Sequence, residues 1–164
     1  MANTFVKIQT VTAGSAVASI DFTSIPQTYT DLYLVHSVRA TVADYDAGIS
    51  INGSSANMTA RWFQGSGTTA TSSSGAFNIF LMNSSASTAS VFSNGIQYFP
   101  NYRAATFKAW SSDSVAENNA ASGYQRMAGN LWSQTAAITS LSLFPSSGSF
   151  VQYSSATLYG IKNT

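Results

Sequence analysis

The chain has 164 residues, of which 45% are hydrophobic and only 8% are charged, and its formal net charge is +1. This length suits one domain with its own core, and the scattered basic residues form no stripe that would neutralise a nucleic-acid backbone. The chain contains no cysteine, which excludes disulfides, thiolate nucleophiles and cysteine-based metal sites.

The low charge predicts an unusual surface. An average domain carries roughly 25% charged residues, so hydroxyl and amide groups must cover much of this one. Such a surface has little charge repulsion to keep copies apart, and it suits a protein in an assembly or one that contacts neutral sugars. The N-terminal residues lack the basic start and apolar run of a signal peptide, and no stretch has the length of a membrane span. We therefore expect synthesis in the cytoplasm without membrane insertion.

Period-two alternation of side chains predicts short strands separated by turns rich in Gly, Ser and Asn. The predicted strands are residues 4–11, 17–22, 31–42, 49–52, 58–64, 76–82, 91–99, 104–113, 124–132, 138–144 and 150–161. Residues 65–75 are low in complexity and predict a flexible loop, and residues 114–119 predict a turn or a helical turn. No segment of ten or more residues has a persuasive 3.6-residue period, so very little helix is expected.

The strand predicted at residues 31–42 is the centre of this pattern. Leu32 and Leu34 alternate with Tyr33 and Val35, so both faces are largely apolar and both should be covered. Residues 17–22 are a candidate hairpin partner of the first strand, and Asn52–Gly53 predicts a hairpin because both residues tolerate positive φ. The pattern predicts one domain over residues 1–164, an all-β antiparallel β-sandwich, jelly-roll-like, with about ten short strands.

Polar candidates for chemistry are few. His36 is the single histidine. This count excludes a histidine triad and a metal site with several histidine ligands. The apolar neighbours of His36 predict a core or interface histidine. Asp44 and Asp46 have a spacing that offers oxygens to Ca²⁺, but no third acidic ligand or closing Glu follows, so a solvated turn is favoured.

Asp113 and Glu117 are two carboxylates close to each other in the sequence, with the aromatic residues Trp110 before them and Tyr124 after them. Glycoside hydrolysis needs two carboxylates placed across a cleft, and two acids in one turn face no obvious cleft. The nucleophile elbow and the phosphate-binding loop motif do not occur. We therefore expect no catalytic residue, no cofactor and no metal site, and a protein that is not an enzyme.

Aromatic side chains are the most informative functional candidates, because large rigid faces with a polar tip serve both sugar stacking and protein contacts. The candidate interface or glycan-contact residues are Trp62, Tyr98, Tyr102, Trp110 and Trp132. About half of them should be buried structural residues, and alternation turns at least one side chain of residues 61–63 inward.

Three stretches carry a family resemblance. They are FTSIPQTYTDLYLVHSVR at residues 22–39, the middle stretch at residues 98–119 with its PNY and SSDSVAENN runs, and FVQYSSATLYGIK at residues 150–162. Together they resemble small virion proteins of tailed bacteriophages, especially of marine and cyanobacterial phages. The resemblance implies a β-sandwich or jelly-roll module that is usually oligomeric and non-enzymatic, and it brings no catalytic residues.

From this resemblance we expect a protein on the surface of the phage particle, either a head decoration (cement) protein or a short fibre or spike module. Its partners would be other virion proteins, namely major capsid or tail proteins. A homotrimer is favoured by fold-level analogy. The alternative is a non-catalytic carbohydrate-binding module or adhesin that holds a host-surface glycan.

Overall fold

The computed structural model describes residues 4–76, 79–117 and 123–162. These residues form twelve strands: β1 (Phe5–Thr12), β2 (Ile20–Phe22), β3 (Asp31–Val38), β4 (Asp46–Ile51), β5 (Met58–Gly65), β6 (Ala70–Gly75), β7 (Phe80–Leu81), β8 (Ser93–Phe99), β9 (Lys108–Ala116), β10 (Tyr124–Trp132), β11 (Leu141–Pro145) and β12 (Ser155–Ile161). A membrane-spanning helix, which would have to be long and apolar, does not occur in this described part.

The strands form two sheets. The larger sheet has the order β1-β12-β3-β8-β9-β10-β5-β6, and the smaller sheet has the order β2-β11-β4-β7. All strand pairs in both sheets are antiparallel. The prediction of an all-β antiparallel sandwich is therefore confirmed, whereas the jelly-roll connectivity stays a prediction.

One cluster of buried side chains joins the two sheets. The larger sheet contributes Leu32, Leu34 and Val38 from β3, all of them completely buried. Branched and aromatic side chains of β2, β4 and β11 pack against them from the smaller sheet. Each such side chain contributes about 1.5–3 kcal/mol when it is removed from water, so this cluster is what keeps the sheets together.

The central strand differs from its prediction in two ways. β3 ends at Val38, and it has β12 and β8 as its two neighbours. Only one of its faces is covered, because Val35 on the other face is 37% exposed. The prediction of coverage on both faces is wrong within the described chain, since the smaller sheet packs against one side only. The uncovered side is called the outer face below.

Two loop predictions are wrong. The predicted loop at residues 65–75 contains β6, which pairs with β5 in an unbroken register. Residues 114–116 continue β9 instead of forming a turn, and residues 118 and 119 of that prediction lie outside the described residues. In both places a neighbouring strand supplies backbone hydrogen-bond partners that the local sequence does not reveal. Residues 77 and 78 of the strand predicted at 76–82 also lie outside the description, and β7 covers Phe80–Leu81.

The predicted hairpins are wrong although one of the turns is present. Asn52 and Gly53 have φ angles of 53° and 76°, and the turn is closed by hydrogen bonds between the backbones of Ile51 and Ser54. The turn does not pair β4 with β5, because these strands belong to different sheets. Similarly, β2 pairs with β11 and not with β1.

Candidate interaction surface

The outer face of the larger sheet carries a row of apolar side chains. The strand registers align Val35 with Ile96, Ile96 with Asp113, Asp113 with Met127 and Met127 with Phe63. Neighbouring strands lie about 4.8 Å apart, so this apolar row extends for about 19 Å. Met127 and Phe63 are 45% and 57% exposed. Asp113 is the single charged residue among these five, which makes the row a predominantly apolar surface.

A second row on the same face is rich in tyrosine. The registers align Tyr159 with Tyr33, Tyr33 with Tyr98 and Tyr98 with Ser111. Phe5 packs edge-on against Tyr33, with ring centroids 5.8 Å apart. This tyrosine row presents aromatic rings beside the apolar row and thereby widens the exposed aromatic surface.

Tyr98 is held in place by Asp31. Its hydroxyl donates a hydrogen bond to Asp31 Oδ2 at 2.9 Å, and Asp31 Oδ1 accepts the backbone N–H of Asn101 at 2.8 Å. The hydrogen bond to Asp31 raises the pKa of Tyr98, with burial and the negative charge of Asp31 acting in the same direction. Because the hydroxyl has this partner, Tyr98 offers its ring more than its polar tip.

Two of the depressions on this face lie beside the apolar row and the tyrosine row. One, of about 500 Å³, is lined by Tyr98, Ser111, Gly129 and Arg61 among others. It forms because Gly129 and Ser111 occupy positions between the larger side chains of Tyr98 and Arg61 in the strand register. The other depression, of about 570 Å³, is lined by residues that include Phe63, Met127, Val115 and Gly65. Both volumes are in the range that accommodates small ligands.

The five aromatic candidates lie in different places in the fold. Tyr102, Trp110 and Trp132 are buried in the core, so the outer face does not present their rings. Tyr98 lies on the outer face. Trp62 points inward and is half-buried, and its ring stacks under the guanidinium of Arg126 at 4.3 Å. Of the five candidates, Tyr98 is therefore the one whose ring belongs to the outer face.

His36 is a core histidine, as predicted. It is 1% exposed, and its ring lies 4.3 Å from the ring of Phe80 between centroids. Burial lowers the pKa of His36 to about 3, so the imidazole is neutral at physiological pH. Neither ring nitrogen has a hydrogen-bond partner among the described residues.

Asp44 and Asp46 are engaged in contacts within the protein. Asp44 accepts hydrogen bonds from the Ser146 hydroxyl and the Asp46 backbone. Burial raises the pKa of Asp44, but the hydrogen bond from Ser146 and those from backbone N–H groups outweigh burial and leave the pKa below its usual value. Asp46 lies in β4 and pairs with Arg126 at 2.7 Å. The predicted solvated turn therefore ends before Asp46.

Asp113 and Glu117 do not converge on a cleft. Asp113 lies within β9, and Glu117 follows the end of that strand. Glycosidases place both carboxyl groups across one cleft, whereas Asp113 and Glu117 line two different depressions. Asp113 lies on the open outer face. Across the described ranges, no three His, Cys, Asp or Glu residues form a group suited to a metal ion.

Two buried cations were not predicted from the sequence. Arg126 and Lys108 are 4% and 2% exposed, and alternation alone gives no reason to place a charge in the core. The sequence held one indication of their burial. Arg126 lies two residues before Ala128 in β10, and Lys108 lies two residues before Trp110 in β9, so each cation shares the inward face of its strand with a buried residue. Both are structural, since protein oxygens surround their donors.

Comparisons of the chain with protein-family models, with curated proteins and with solved structures found no match. The family resemblance described above therefore stays a prediction.

Proposed function

We propose that the protein is a non-enzymatic structural subunit of a bacteriophage virion, which binds neighbouring virion subunits through the outer face of its larger sheet. The observation that carries the proposal is the apolar row, in which Val35, Met127 and Phe63 are exposed, Ile96 is half-buried and Asp113 is the single charged residue. Contiguous exposed apolar surface marks sites of protein contact. The placement in a virion rests on the sequence resemblance.

The size of the outer face supports a stable contact. Eight strands at about 4.8 Å and seven residues at about 3.3 Å give a face of roughly 900 Å². A standard protein interface buries about 800 Å² on each partner. Burial of apolar surface contributes roughly 25 cal/mol per Å² before the costs of association. Contacts centred on the apolar row can therefore contribute favourable free energy to the association with a neighbouring subunit.

Quantitative mass spectrometry of purified particles tests this function. Copies in the hundreds relative to the major capsid protein would indicate head decoration, and a few to a few dozen copies would indicate a fibre, spike or tail part. Absence from the particles would overturn the proposal.

Rebinding of the purified protein to particles that lack it tests the surface. Phe63→Ser and Met127→Ser should each weaken rebinding at least tenfold, because each removes exposed apolar area from the row. Phe107→Ser is the matched control, since Phe107 is as exposed as Phe63 at 57% but lies in the loop before β9. An equal loss in all three variants would contradict a role of the row.

The second candidate function is non-catalytic glycan binding, favoured by the depression between Tyr98 and Arg61. An aromatic ring beside hydroxyl and guanidinium donors is chemistry that suits a neutral sugar. Binding of soluble glycans that is lost on Arg61→Ala, with Arg103→Ala as an exposed arginine control, would favour this function over the structural one.

A further inference from the structure

The four sheet edges differ in how they are protected against pairing with another strand. Natural proteins protect edges by short strands, charged residues, proline or bulges. β1, at one edge of the larger sheet, carries Lys7 and a register shift between Lys7 and Gln9. The edges of the smaller sheet are β2 and β7, with three and two residues. These three edges each have at least one protective feature.

β6, the other edge of the larger sheet, has none of these features. It has six residues, ATSSSG, without charge or proline, and its register with β5 is unbroken. The surrounding chain is also uncharged, because residues 62–102 contain no Asp, Glu, Lys, Arg or His. β6 itself carries no charge that would repel a second copy, and the nearest charged residue in the strand register is Arg61 of β5, opposite Ser74.

β6 is also free to accept a partner strand. All six of its residues are exposed, so neither of its faces is covered. It pairs with β5 along one edge, and no other strand of the described chain pairs with it. In an antiparallel strand, alternate residues direct their N–H and C=O groups away from the existing partner. The free edge therefore presents unpaired donors and acceptors to solvent.

We propose that β6 pairs in antiparallel orientation with β6 of a second copy of this chain, across a two-fold axis. The two larger sheets then become one continuous sheet, and their outer faces form one surface that carries both apolar rows. A two-fold contact presents the same edge from both copies, whereas a β6–β1 contact would meet Lys7 and the bulge.

This inference concerns self-association and does not depend on the proposed function. A two-fold contact through β6 does not by itself close a ring of three, so it predicts a dimer in place of the homotrimer expected from analogy. Particle binding and dimerisation can fail separately, because the first is attributed to the outer face and the second to the edge.

Sedimentation velocity over a wide range of protein concentration tests the dimer. The wild-type protein should sediment with twice the 17.3 kDa mass of the chain. The double variant Thr71→Lys/Ser73→Lys should be monomeric, because four ammonium groups would meet at the two-fold axis. The matched control is Gln9→Lys/Thr12→Lys on the opposite edge β1, which should remain dimeric. A monomeric wild type, or a β6 variant that still dimerises, would overturn the proposal.

Disulfide cross-linking gives a second readout that does not require a destabilising charge. Because the chain contains no cysteine, single cysteines at residues 71, 72, 73 and 74 report only on their own position. A residue next to the axis should form an intermolecular disulfide under mild oxidation, since bridged Cβ atoms lie about 3.5–4.5 Å apart. Ser111→Cys in the middle of the outer face is the control. Cross-linking through residue 111 and none through β6 would indicate a face-to-face contact and refute the edge pairing.

Discussion

Arg126 of β10 and Asp46 of β4 form an ion pair between the two sheets, with Nη1 donating to Oδ1 at 2.7 Å. The guanidinium is nearly enclosed, and it also stacks on Trp62 at 4.3 Å. Its Nη2 donates to Gln64 Oε1 at 2.8 Å. Arg126 thus ties the β5–β10 part of the larger sheet to the smaller sheet.

Asp46→Asn should lower the free energy of unfolding by about 2–3 kcal/mol, because it removes the negative charge that faces a buried guanidinium. The Asp46 side chain is 29% exposed, so the loss should fall below that of a fully buried pair. Urea denaturation measures the loss, and Asp21→Asn on β2 is an exposed control that should change stability by less than about 0.5 kcal/mol. Equal effects of the two variants would contradict the importance of this pair.

His36 should make stability depend on pH. Its pKa is about 3 in the folded protein and about 6.5 when unfolded, so the unfolded state binds more protons between these values. Protonation of His36 therefore does not reduce the free energy of unfolding above about pH 6.5. Below that pH, the free energy of unfolding falls by about 1.4 kcal/mol for each pH unit, down to about pH 3.

The comparison with His36→Leu isolates this effect from the carboxylates. Urea denaturation of both proteins at several pH values from about 7 to about 4 should show the wild type losing about 3 kcal/mol more than the variant. Near neutral pH the variant should be at least as stable, because it removes two ring nitrogens that have no partner among the described residues. A difference that stays constant with pH would show that His36 does not titrate as described.

Lys108, at the start of β9, forms hydrogen bonds with the loop before β9 and with the loop between β10 and β11. Its Nζ donates to the carbonyl oxygens of Ala104 at 2.7 Å, Thr106 at 2.5 Å and Ala136 at 2.9 Å. Burial lowers the pKa of this ammonium group. Lys108→Met should cost about 2–4 kcal/mol, because it leaves these carbonyl groups without their charged donor. Thermal denaturation measures the loss, and Lys162→Met at an exposed position is the control; similar melting temperatures for both variants would refute the role.

The sequence predicted the features that depend on local alternation. The strand at 124–132 was predicted with its observed ends, and the burial of His36 followed from its apolar neighbours. Features that depend on distant partners were not predicted. Arg126 and Asp46 are 80 residues apart, and β6 is a strand only because β5 lies beside it. Alternation predicted that at least one side chain among residues 61–63 points inward. That this residue is Trp62 follows only from its stacking with Arg126, which the sequence does not reveal.

Gly160 of β12 gives a test of close packing between the sheet and the segment that enters β3. A Cβ added there would lie 2.3 Å from Cγ of Tyr29, and this ring packs against the core. Gly160→Ala should therefore cost about 1–3 kcal/mol through overpacking. Gly129→Ala in β10 of the same sheet is the matched control, since a Cβ there meets nothing within 4 Å, and it should be neutral or slightly stabilising. If the ring of Tyr29 causes the cost, Gly160→Ala should cost much less in a Tyr29→Ser background than in the wild type. Fully additive free energies in the double-mutant cycle would show that the two residues do not interact.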